Sequence, residues 1–483
     1  MLIWFVVAYL LVSVGIGLFA ATRVHNTKDF AVAGRSLPWP VVMATVFATW
    51  FGAEAVFGVS ATFVQEGLGG VVADPFGSSM CLIIAGVLFS RYLYMLNIIT
   101  LGDFYRMRYS RTVEVLTTIC IVVSYLGWVA AQIKALGLIF YVVSNGAVSQ
   151  ETGMILGTAI VLTYTIFGGM FSVAILDFVQ MAVSMGGLMF IAYIMSGKTG
   201  GTMNVIDHAA AAGKLQFFPK GDVWTWVAFF GAWVTMMLGS IPQQDVFQRV
   251  TSAKSQKVAL WGSVLGASIY FCFTFVPMFI AYSATLIDPV LFDKLLAEDS
   301  QLVLPTLVLQ HTPLFAQVLF FGAVLSAIMS CSSATLLAPS VTFAENVVKG
   351  FVPNISDRNF LWVMRASLAG FAGMVLVVSL STEASIFEMV ENAYKVTLAG
   401  AFIPLVCGIL WKRATNQGAL AAIFGGLLSW ILIELLIGEE SPVPPQLIGL
   451  AISAIGMVLG SLLPQWIRHS PGHSGVHPHA HHH

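Results

Sequence analysis

The sequence predicts an all-α integral membrane protein, and three observations support this fold class. Hydrophobic residues make up 58% of the 483 residues. Charged residues make up only 9%, well below the fraction of about 25% that is typical of soluble domains. Apolar stretches long enough to cross a bilayer as helices recur along the whole chain, and no segment between them resembles a soluble domain.

The apolar stretches predict about thirteen transmembrane helices. Their approximate bounds are 2–21, 38–65, 72–98, 113–145, 151–167, 171–196, 223–247, 258–286, 313–347, 360–381, 385–411, 417–437 and 447–467. An odd number of spans places the two termini on opposite sides of the membrane. With the N-terminus outside, only Lys198, Lys214, Lys220 and Lys294 lie in outer loops, while most other Lys and Arg residues, Arg249 among them, lie in inner loops. The positive-inside rule therefore predicts an outer N-terminus and an inner C-terminus.

Other features of the composition limit the remaining classes. No basic segment and no small-residue cleavage site accompany the first apolar run, so we expect a retained helix and not a cleaved signal. All five cysteines fall in predicted helices, which argues against a disulfide framework. The net charge of -1 does not indicate a nucleic-acid partner. The His-rich tail 469–483 is predicted to be disordered or the remnant of an affinity tag, and not a metal site.

The predicted span 38–65 carries a carboxylate at the depth of the lipid tails. Glu54 lies there together with Trp50 and the small residues Ala48, Gly52 and Ala53. Because a charge at this depth costs about 2.5–3.5 kcal/mol, Glu54 should face protein, water or a ligand. The small residues favour local unwinding, which exposes backbone carbonyls. Secondary transporters build their binding sites from helices that are interrupted in this way.

A second apolar segment, 223–250, is interrupted at Gly239 and Pro242, and Gln243 and Gln244 follow the interruption. Pro removes a backbone donor and Gly weakens a helix, so the exposed backbone groups need a cavity, an ion or a ligand. Each interrupted segment begins a block of five predicted spans. This arrangement predicts two inverted repeats with a binding site at their interface.

Four sequence motifs resemble the solute:sodium symporter family. They are FGGMFSVAILDFVQ at Phe167–Gln180, IPQQDVFQRV at 241–250, AVLSAIMSCSSATLLAPSVTFAENVV at Ala323–Val348 and WVMR at 362–365. The motifs occur in the order found in that family, and the resemblance extends over residues 1–468. The second and fourth motifs are similar to the high-affinity choline transporter branch of the family.

The resemblance implies a LeuT-type fold of five-plus-five inverted repeats in a single transmembrane domain, 1–468. Within it we expect an extra N-terminal helix in 1–36, a first repeat in 37–196, a second repeat in 223–411 and two C-terminal helices in 417–468. The implied activity is sodium-coupled symport of a small polar organic solute by alternating access, with no enzymatic reaction. Amines, zwitterions and amino acids remain open as solutes, and so does a choline-like cation. The expected location is the plasma membrane, or the inner membrane of a bacterial cell, in contact with lipid.

The same resemblance implies a sodium site between the first and eighth core helices. In the family, two carbonyls of the unwound first helix, one carbonyl of the eighth helix and two adjacent hydroxyl side chains bind the ion. Oxygen ligands of this kind suit a hard cation. Asp177 resembles an acidic residue on the inner exit path of the ion. The matching ligand positions in this chain are Ala48, Phe51, Ala327, Ser330 and Cys331.

Cys331 departs from the family pattern, which has Ser or Thr at this position. A thiol is a poor ligand for a hard ion. Either Ser332 or Ser333 replaces it, or the site is weak, lost or used by protons. Lys134 and Lys395 lie within predicted spans, where snorkelling or ion pairing is the usual explanation. The alternative is that one lysine stands in for the sodium ion, which would make transport sodium-independent.

The solute site is predicted at mid-membrane beside the two interruptions. Trp50 and Trp128 match aromatic positions of the choline-binding branch, and aromatic faces attract ammonium groups by about 0.5–2 kcal/mol each. Gln243 stands where that branch has a further tryptophan, so the two glutamines favour hydrogen bonds to a polar solute. The expected residues of the site are Trp50, Gly52, Glu54, Tyr125, Trp128, Gln132, Trp233, Gln243 and Gln244.

Three other classes of protein compete with a transporter. A solute sensor is expected to carry a soluble kinase region, which does not follow residue 468 in this sequence. An intramembrane zinc enzyme would need a pattern such as HExxH, which does not occur. A channel accounts less well for two paired interruptions than alternating access does. Coupling to protons instead of sodium is the alternative within the transporter class.

Overall fold

The structure is a computed structural model and describes residues 1–467. Helices dominate this part of the chain. The only β pairing within it is an isolated bridge between Leu37 and Ala253. The predicted all-α class is confirmed. The His-rich tail 469–483 lies outside the described residues.

Nine helices in residues 1–467 are long and apolar enough to cross a membrane. At a rise of about 1.5 Å per residue, the shortest of them matches the hydrocarbon thickness of a bilayer. The nine helices are Leu2–Ala21, Leu68–Met95, Arg111–Val143, Gln150–Lys198, Gln256–Ile287, Leu314–Gly350, Asp357–Ser381, Asn416–Leu436 and Pro445–Leu462.

Three further spans are pairs of helices that meet at a sharp bend. We name them the first broken helix (Trp39–Trp50 and Glu54–Glu66, 56°), the second broken helix (Val223–Gly239 and Gln244–Thr251, 45°) and the third broken helix (Ile386–Gly400 and Phe402–Leu410, 49°). The first two breaks confirm the predicted interruptions. The third break was not predicted, although Gly400 and Pro404 flank it and provided a signal. Counting each pair as one span gives up to twelve.

The helical stretch Gln150–Lys198 contains a break at Gly169. Its 49 residues would extend about 74 Å as one straight helix, more than twice the hydrocarbon thickness. Gly169 has φ 52° and ψ -134°, a conformation that needs glycine. The break falls between the predicted spans 151–167 and 171–196. Dividing the stretch there would give thirteen spans, but the exact number and the orientation of the termini stay predictions.

Several short helices were not predicted because each is too short to show a clear period. Leu101–Arg108 is one example, and it begins with a capping box in which Asp103 N–H donates to the Thr100 hydroxyl. Such helices connect the spans and lie at or near their ends. They are Thr27–Val32, Leu101–Arg108, Thr202–Ala211, Pro289–Glu298 and Val303–His311.

The first broken helix lies in the middle of the molecule. Its first half packs against Gln256–Ile287, Gln150–Lys198 and Leu314–Gly350. Glycines permit part of this contact, because a Cβ at Gly262 would lie 2.5 Å from the Val42 side chain. The predicted carboxylate-bearing segment is therefore surrounded by protein and not by lipid.

Arg249 is not the inner-loop residue that the charge count assumed. It lies in the second half of the second broken helix and is only 2% exposed. Its position follows from the break at Pro242, after which the new helix Gln244–Thr251 is buried at every residue. A buried guanidinium needs hydrogen-bond acceptors or acidic partners.

Candidate functional site

The break in the first broken helix frees backbone carbonyls. Phe51 is non-helical, with φ -86° and ψ 82°. Gly52 N–H donates to the Trp50 carbonyl at 3.1 Å, and Ala53 N–H donates to Gln132 Oε1 at 2.8 Å. The carbonyls of Ala48 and Thr49 therefore lose the donors that they would have in a continuous helix. Carbonyls in this state are suited to bind a cation.

Gly52 brings this break into direct contact with the helix Leu314–Gly350. A Cβ at Gly52 would lie 2.5 Å from Cys331 Cβ and 2.6 Å from Gln132 Oε1. Only glycine fits between these side chains. Cys331 is therefore across from the unwound turn, as the predicted sodium site requires.

Ser330 and Asp177 belong to the same buried region. The Ser330 hydroxyl donates to Gln180 Oε1 and lies close to the Asp177 carboxyl. Asp177 Oδ2 accepts from the Thr45 hydroxyl at 2.6 Å, while its Oδ1 has no partner among the described residues. The fold thus brings Asp177 next to the predicted ion ligand Ser330.

Four aromatic residues from three helices form a cluster beside the break. The Trp50 ring meets Trp128 edge-on at 6.0 Å and Tyr394 at 6.5 Å. Tyr125 stacks on Trp128 at 5.6 Å, and Trp128 lies 5.6 Å from Tyr394. Trp50, Tyr125 and Trp128 are predicted site residues, and the structure brings them together. Tyr394 is an addition to them, contributed by the third broken helix.

Asp245 connects the aromatic cluster to the second broken helix. Trp50 Nε1 donates to Asp245 Oδ2 at 2.7 Å, and the Tyr125 hydroxyl donates to Asp245 Oδ1. The same hydroxyl accepts from Asp245 N–H at 2.9 Å. Asp245 is fully buried. A carboxylate held by two aromatic donors at this depth is a candidate for solute recognition.

Arg249 lies one helical turn after Asp245 and interacts electrostatically with Asp245 and Asp177. Its Nε donates to the Thr49 hydroxyl at 2.9 Å, and a terminal nitrogen donates to Gln248 Oε1 at 2.9 Å. Two acids and one base thus form a buried group, which would carry one excess negative charge if all three were ionised.

Three predicted solute residues occupy other places. Trp233 stacks on Phe230 at 6.0 Å and contacts Phe217, in an aromatic patch away from Trp50. Gln243 bonds to the Ser124 and Thr397 hydroxyls. Gln244 accepts from Leu101 N–H at 2.9 Å and so anchors the short helix Leu101–Arg108. We therefore leave these three side chains out of the proposed solute site.

Glu54 is buried, as predicted, but it faces a second acid. Its carboxyl interacts electrostatically with that of Asp74. Lys134 Nζ reaches the Ala384 carbonyl at 3.4 Å, and Lys395 lies near Glu391. Neither lysine is among the charged groups near Glu54 or Asp177. These positions do not favour a lysine that replaces sodium.

A cavity of about 630 Å³ opens at one end of the molecule, and we name it the vestibule. Three carboxylates line it, from Glu66, Glu388 and Glu391, and none of its described lining residues is Lys or Arg. At the opposite end, Leu37 N–H donates to the Ser252 carbonyl at 3.0 Å, which joins the residues just before the first broken helix to those just after the second. The predicted orientation places the vestibule outside the cell.

Comparison with known proteins decides the family. The model of the sodium:solute symporter family matches residues 30–426, most of the chain. The chain belongs to this family. It is 27% identical to the human high affinity choline transporter 1 over 88% of this chain and 75% of that protein. It is 26% identical to the sodium/pantothenate symporter of Escherichia coli over 95% and 96% of the two chains.

Solved structures agree on the fold. A Na+-coupled sialic acid symporter in a substrate-bound outward-open state superposes with a TM-score of 0.80, at 17% identity and over 96% of this chain and 97% of that one. The nucleobase-cation-symport-1 family transporter MHP1 gives a TM-score of 0.61 at 14% identity, over 89% and 93%. The fold is therefore of the LeuT type, as the resemblance implied.

Family membership confirms the central predictions about activity. This sodium:solute symporter is a multi-pass membrane protein that couples the transport of a small organic solute to sodium. Its relatives are transporters and not enzymes. The division of the chain into repeats, the individual ion ligands and the solute residues stay predictions.

Sequence reasoning missed Asp245, Arg249 and Tyr394. Asp245 offered the same signal as Glu54, since it is an ionisable residue just after an interrupted span. Arg249 follows it at a spacing of four, which places the two side chains on one helix face. Tyr394 carried no such signal, because one tyrosine in an apolar helix is not distinguishable from a packing residue.

Proposed function

We propose that this symporter couples sodium influx to the uptake of a small organic cation that carries an amine or ammonium group. The observation that carries the proposal is the Asp245 carboxylate, fixed by Trp50 and Tyr125 inside an aromatic cluster. Aromatic faces and a desolvated carboxylate together favour a cationic head group. The relatives named as choline transporters support the same chemistry.

The charge balance of the site favours a cation over an anion. Asp245, Asp177 and Arg249 leave one excess negative charge when all three are ionised. An anionic solute would add to that excess in a medium of low dielectric constant, which is unfavourable. A cation would neutralise it. A zwitterion stays the second candidate: Arg249 donates to Thr49 and Gln248 through two of its nitrogens, but its third, Nη2, has no hydrogen-bond partner among the described residues.

In this proposal the coupling sodium binds beside the solute, at the unwound turn. Its ligands are the carbonyls of Ala48, Phe51 and Ala327 and the hydroxyl of Ser330. Asp177 is an acidic side chain close to Ser330. The thiol of Cys331 contributes little because it is a poor ligand for a hard ion. Sodium binding would fix the break against the helix Leu314–Gly350 and raise the affinity for the solute, and this linkage is reciprocal.

Sodium supplies enough free energy for accumulation. One sodium crossing about 100 mV releases about 2.3 kcal/mol, and a tenfold concentration gradient adds about 1.4 kcal/mol. Together these support accumulation of a neutral solute by several hundred-fold, and of a cation by more. The two broken helices that begin the predicted repeats would then move relative to the other helices. This movement would open the end of the molecule opposite the vestibule and release the sodium ion and the solute to the inside.

Replacing Asp245 with asparagine tests the solute site. We expect Asp245→Asn to lower the apparent affinity for choline, the probe cation, by about 10- to 100-fold, since interactions with a charged group are worth about 1.5–3 kcal/mol. The measurement is initial-rate uptake of labelled choline into proteoliposomes with an inward sodium gradient. Betaine, an amino acid mixture, glucose and pantothenate serve as competitors.

Glu439→Gln, an exposed acid remote from the site, is the matched control and should transport like the wild type. The proposal fails if Asp245→Asn keeps wild-type affinity for choline. It also fails if only glucose or pantothenate is taken up.

A further inference from the structure

Gln244 makes a contact that the proposed solute and sodium sites do not use. It is the first residue of the helix Gln244–Thr251, the second half of the second broken helix, and it is fully buried. Its Oε1 accepts from Leu101 N–H at 2.9 Å. Leu101 begins the short helix Leu101–Arg108, and the first N–H groups of a helix have no partner within it. Gln244 supplies that partner and so joins the second broken helix to the short helix.

The short helix lies at the end of the molecule opposite the vestibule, which we name the inner end. Gly69 and Gly70, at the start of the helix Leu68–Met95, line the vestibule. That helix is long enough to cross the membrane, and the short helix follows its far end. The bond between Gln244 and Leu101 therefore connects the second broken helix to the end that must open for release.

Buried hydrogen bonds anchor the short helix to two membrane-spanning helices. Asn346 Nδ2 donates to Asp103 Oδ1 at 3.0 Å and to Glu114 Oε2 at 2.9 Å. Asn346 Oδ1 accepts from the Thr100 hydroxyl at 2.6 Å. Asn346 and Glu114 belong to different spans, while Thr100 and Asp103 belong to the capping box of the short helix. The short helix is thus fixed to both spans.

The short helix also holds the third broken helix. The Tyr105 hydroxyl donates to the Ala401 carbonyl at 2.8 Å, at the break itself. Arg108 Nε donates to the Gly408 carbonyl at 3.0 Å, in the last turn of the same broken helix. Carbonyls at helix ends lack partners within the helix and need such donors. The short helix therefore belongs to a framework of helices outside the two broken helices that are proposed to move.

Gln244 and the proposed solute residue Asp245 are neighbours in the sequence. Asp245 accepts from Trp50 Nε1 and from the Tyr125 hydroxyl at the aromatic cluster. The preceding side chain reaches Leu101 in the framework. A displacement of Asp245 toward a bound cation would move the backbone that also carries Gln244. The solute site and the bond to the short helix therefore share one turn of helix.

We propose that the bond between Gln244 and Leu101 N–H is a latch that keeps the inner end closed until a solute engages Asp245. Without solute, the latch holds the second broken helix against the framework. A cation at Asp245 displaces this turn, the bond breaks, and the broken helix moves. A single neutral hydrogen bond suits this use because it favours one state and is still weak enough to break. Release by the solute rests on the proposed function, whereas the latch itself does not.

The distance between two spin labels at the inner end tests the latch in nanodiscs, without sodium or choline. The labels are attached to cysteines that replace Lys254, just after the second broken helix, and Arg358, near the start of the helix Asp357–Ser381. Both positions are exposed. Cys272 and Cys407, the two native cysteines that are not buried, are replaced by alanine. A longer distance between the labels marks an open inner end.

Gln244→Met keeps the length of the side chain and removes the acceptor. It should raise the ratio of open to closed molecules about 2- to 10-fold, the change that one neutral hydrogen bond produces. Leu101→Pro removes the donor instead. Proline is favoured at the first position of a helix, and Thr100 before it has the extended backbone that proline requires. This variant should raise the ratio by a similar factor.

The double variant of Gln244→Met and Leu101→Pro should raise the ratio no further than either single change, because both remove the same bond. Leu101→Ala is the matched control, since it removes the packing of the leucine side chain and keeps the N–H. It should leave the ratio at the wild-type value. The latch is wrong if Gln244→Met does not raise the ratio, or if the two single effects add in the double variant.

Adding choline with sodium to the labelled wild type tests the release. The ratio of open to closed molecules should rise. If choline leaves the wild type closed while Gln244→Met opens it, release by the solute is wrong and the latch stands. If choline opens the wild type and Gln244→Met stays closed without it, the latch is wrong and the proposed function stands.

Discussion

Gly52→Ala is expected to lower the initial rate of sodium-driven uptake at least tenfold. The added Cβ would lie 2.5 Å from Cys331 Cβ and 2.6 Å from Gln132 Oε1. Ordinary contact between carbon atoms requires about 3.5–4.0 Å, so the broken helix would have to move by about 1 Å. Overpacking of this size costs about 1–3 kcal/mol. The displacement would also separate the exposed carbonyls of the break from the helix Leu314–Gly350.

The loss of Gln132 as a partner would add to this effect. Gln132 Oε1 accepts from Ala53 N–H at 2.8 Å and so stabilises the unwound turn. A methyl group in its place would leave a buried backbone donor unsatisfied, at a cost of about 1–3 kcal/mol. We expect initial rates at least tenfold lower than wild type, with the protein still folded.

The measurement is sodium-driven uptake in proteoliposomes together with the melting temperature in detergent. Gly322→Ala is the matched control, because Gly322 lies on the same helix as Cys331 and no atom lies within 4 Å of its added Cβ. It should transport at the wild-type rate. Wild-type uptake by Gly52→Ala would show that the break does not need this close approach.

The sequence was informative about helices and breaks because both depend on local residue patterns. Long apolar runs correspond to the spans, and Gly52 and Pro242 mark the first two breaks. The break at Ala401 was missed although Pro404 lies close to it, since the apolar run continues through it without interruption. Short connecting helices such as Leu101–Arg108 depend on caps and tertiary contacts, which hydropathy does not reveal.

Site residues could be predicted only where placing the side chain in the membrane costs much free energy. Glu54 was identified because a charge costs free energy in the membrane. Asp74, with which it interacts electrostatically, is 20 positions away, and that interaction depends on how two helices pack. A charge at Asp245 costs as much free energy in the membrane, but the neighbouring glutamines were predicted as site residues instead. Gln243 and Gln244 instead bond to protein groups. Side-chain direction after a break cannot be inferred from spacing.

Ser330→Ala is expected to weaken sodium binding. The hydroxyl of Ser330 is the proposed side-chain ligand, and the neighbouring Cys331 offers only sulfur, so no second hydroxyl oxygen compensates for the loss. We expect the apparent sodium affinity for uptake to fall at least tenfold, which corresponds to about 1.4 kcal/mol. Sodium should also lose its stabilising effect on the melting temperature, because an ion that binds only the folded protein raises its stability.

Cys331→Ser is the reciprocal change and should raise sodium affinity several-fold, since it supplies the hydroxyl that the family usually has. Ser332→Ala is the matched control, because the Ser332 hydroxyl donates to the Ile328 carbonyl of its own helix at 2.6 Å. Ser330→Ala also removes a hydrogen bond to Gln180, so a general loss of stability must be separated from loss of the ion. Melting in sodium against melting in potassium makes this distinction, since general destabilisation lowers both equally. An unchanged sodium dependence in Ser330→Ala, or an equal defect in Ser332→Ala, would place the ion elsewhere.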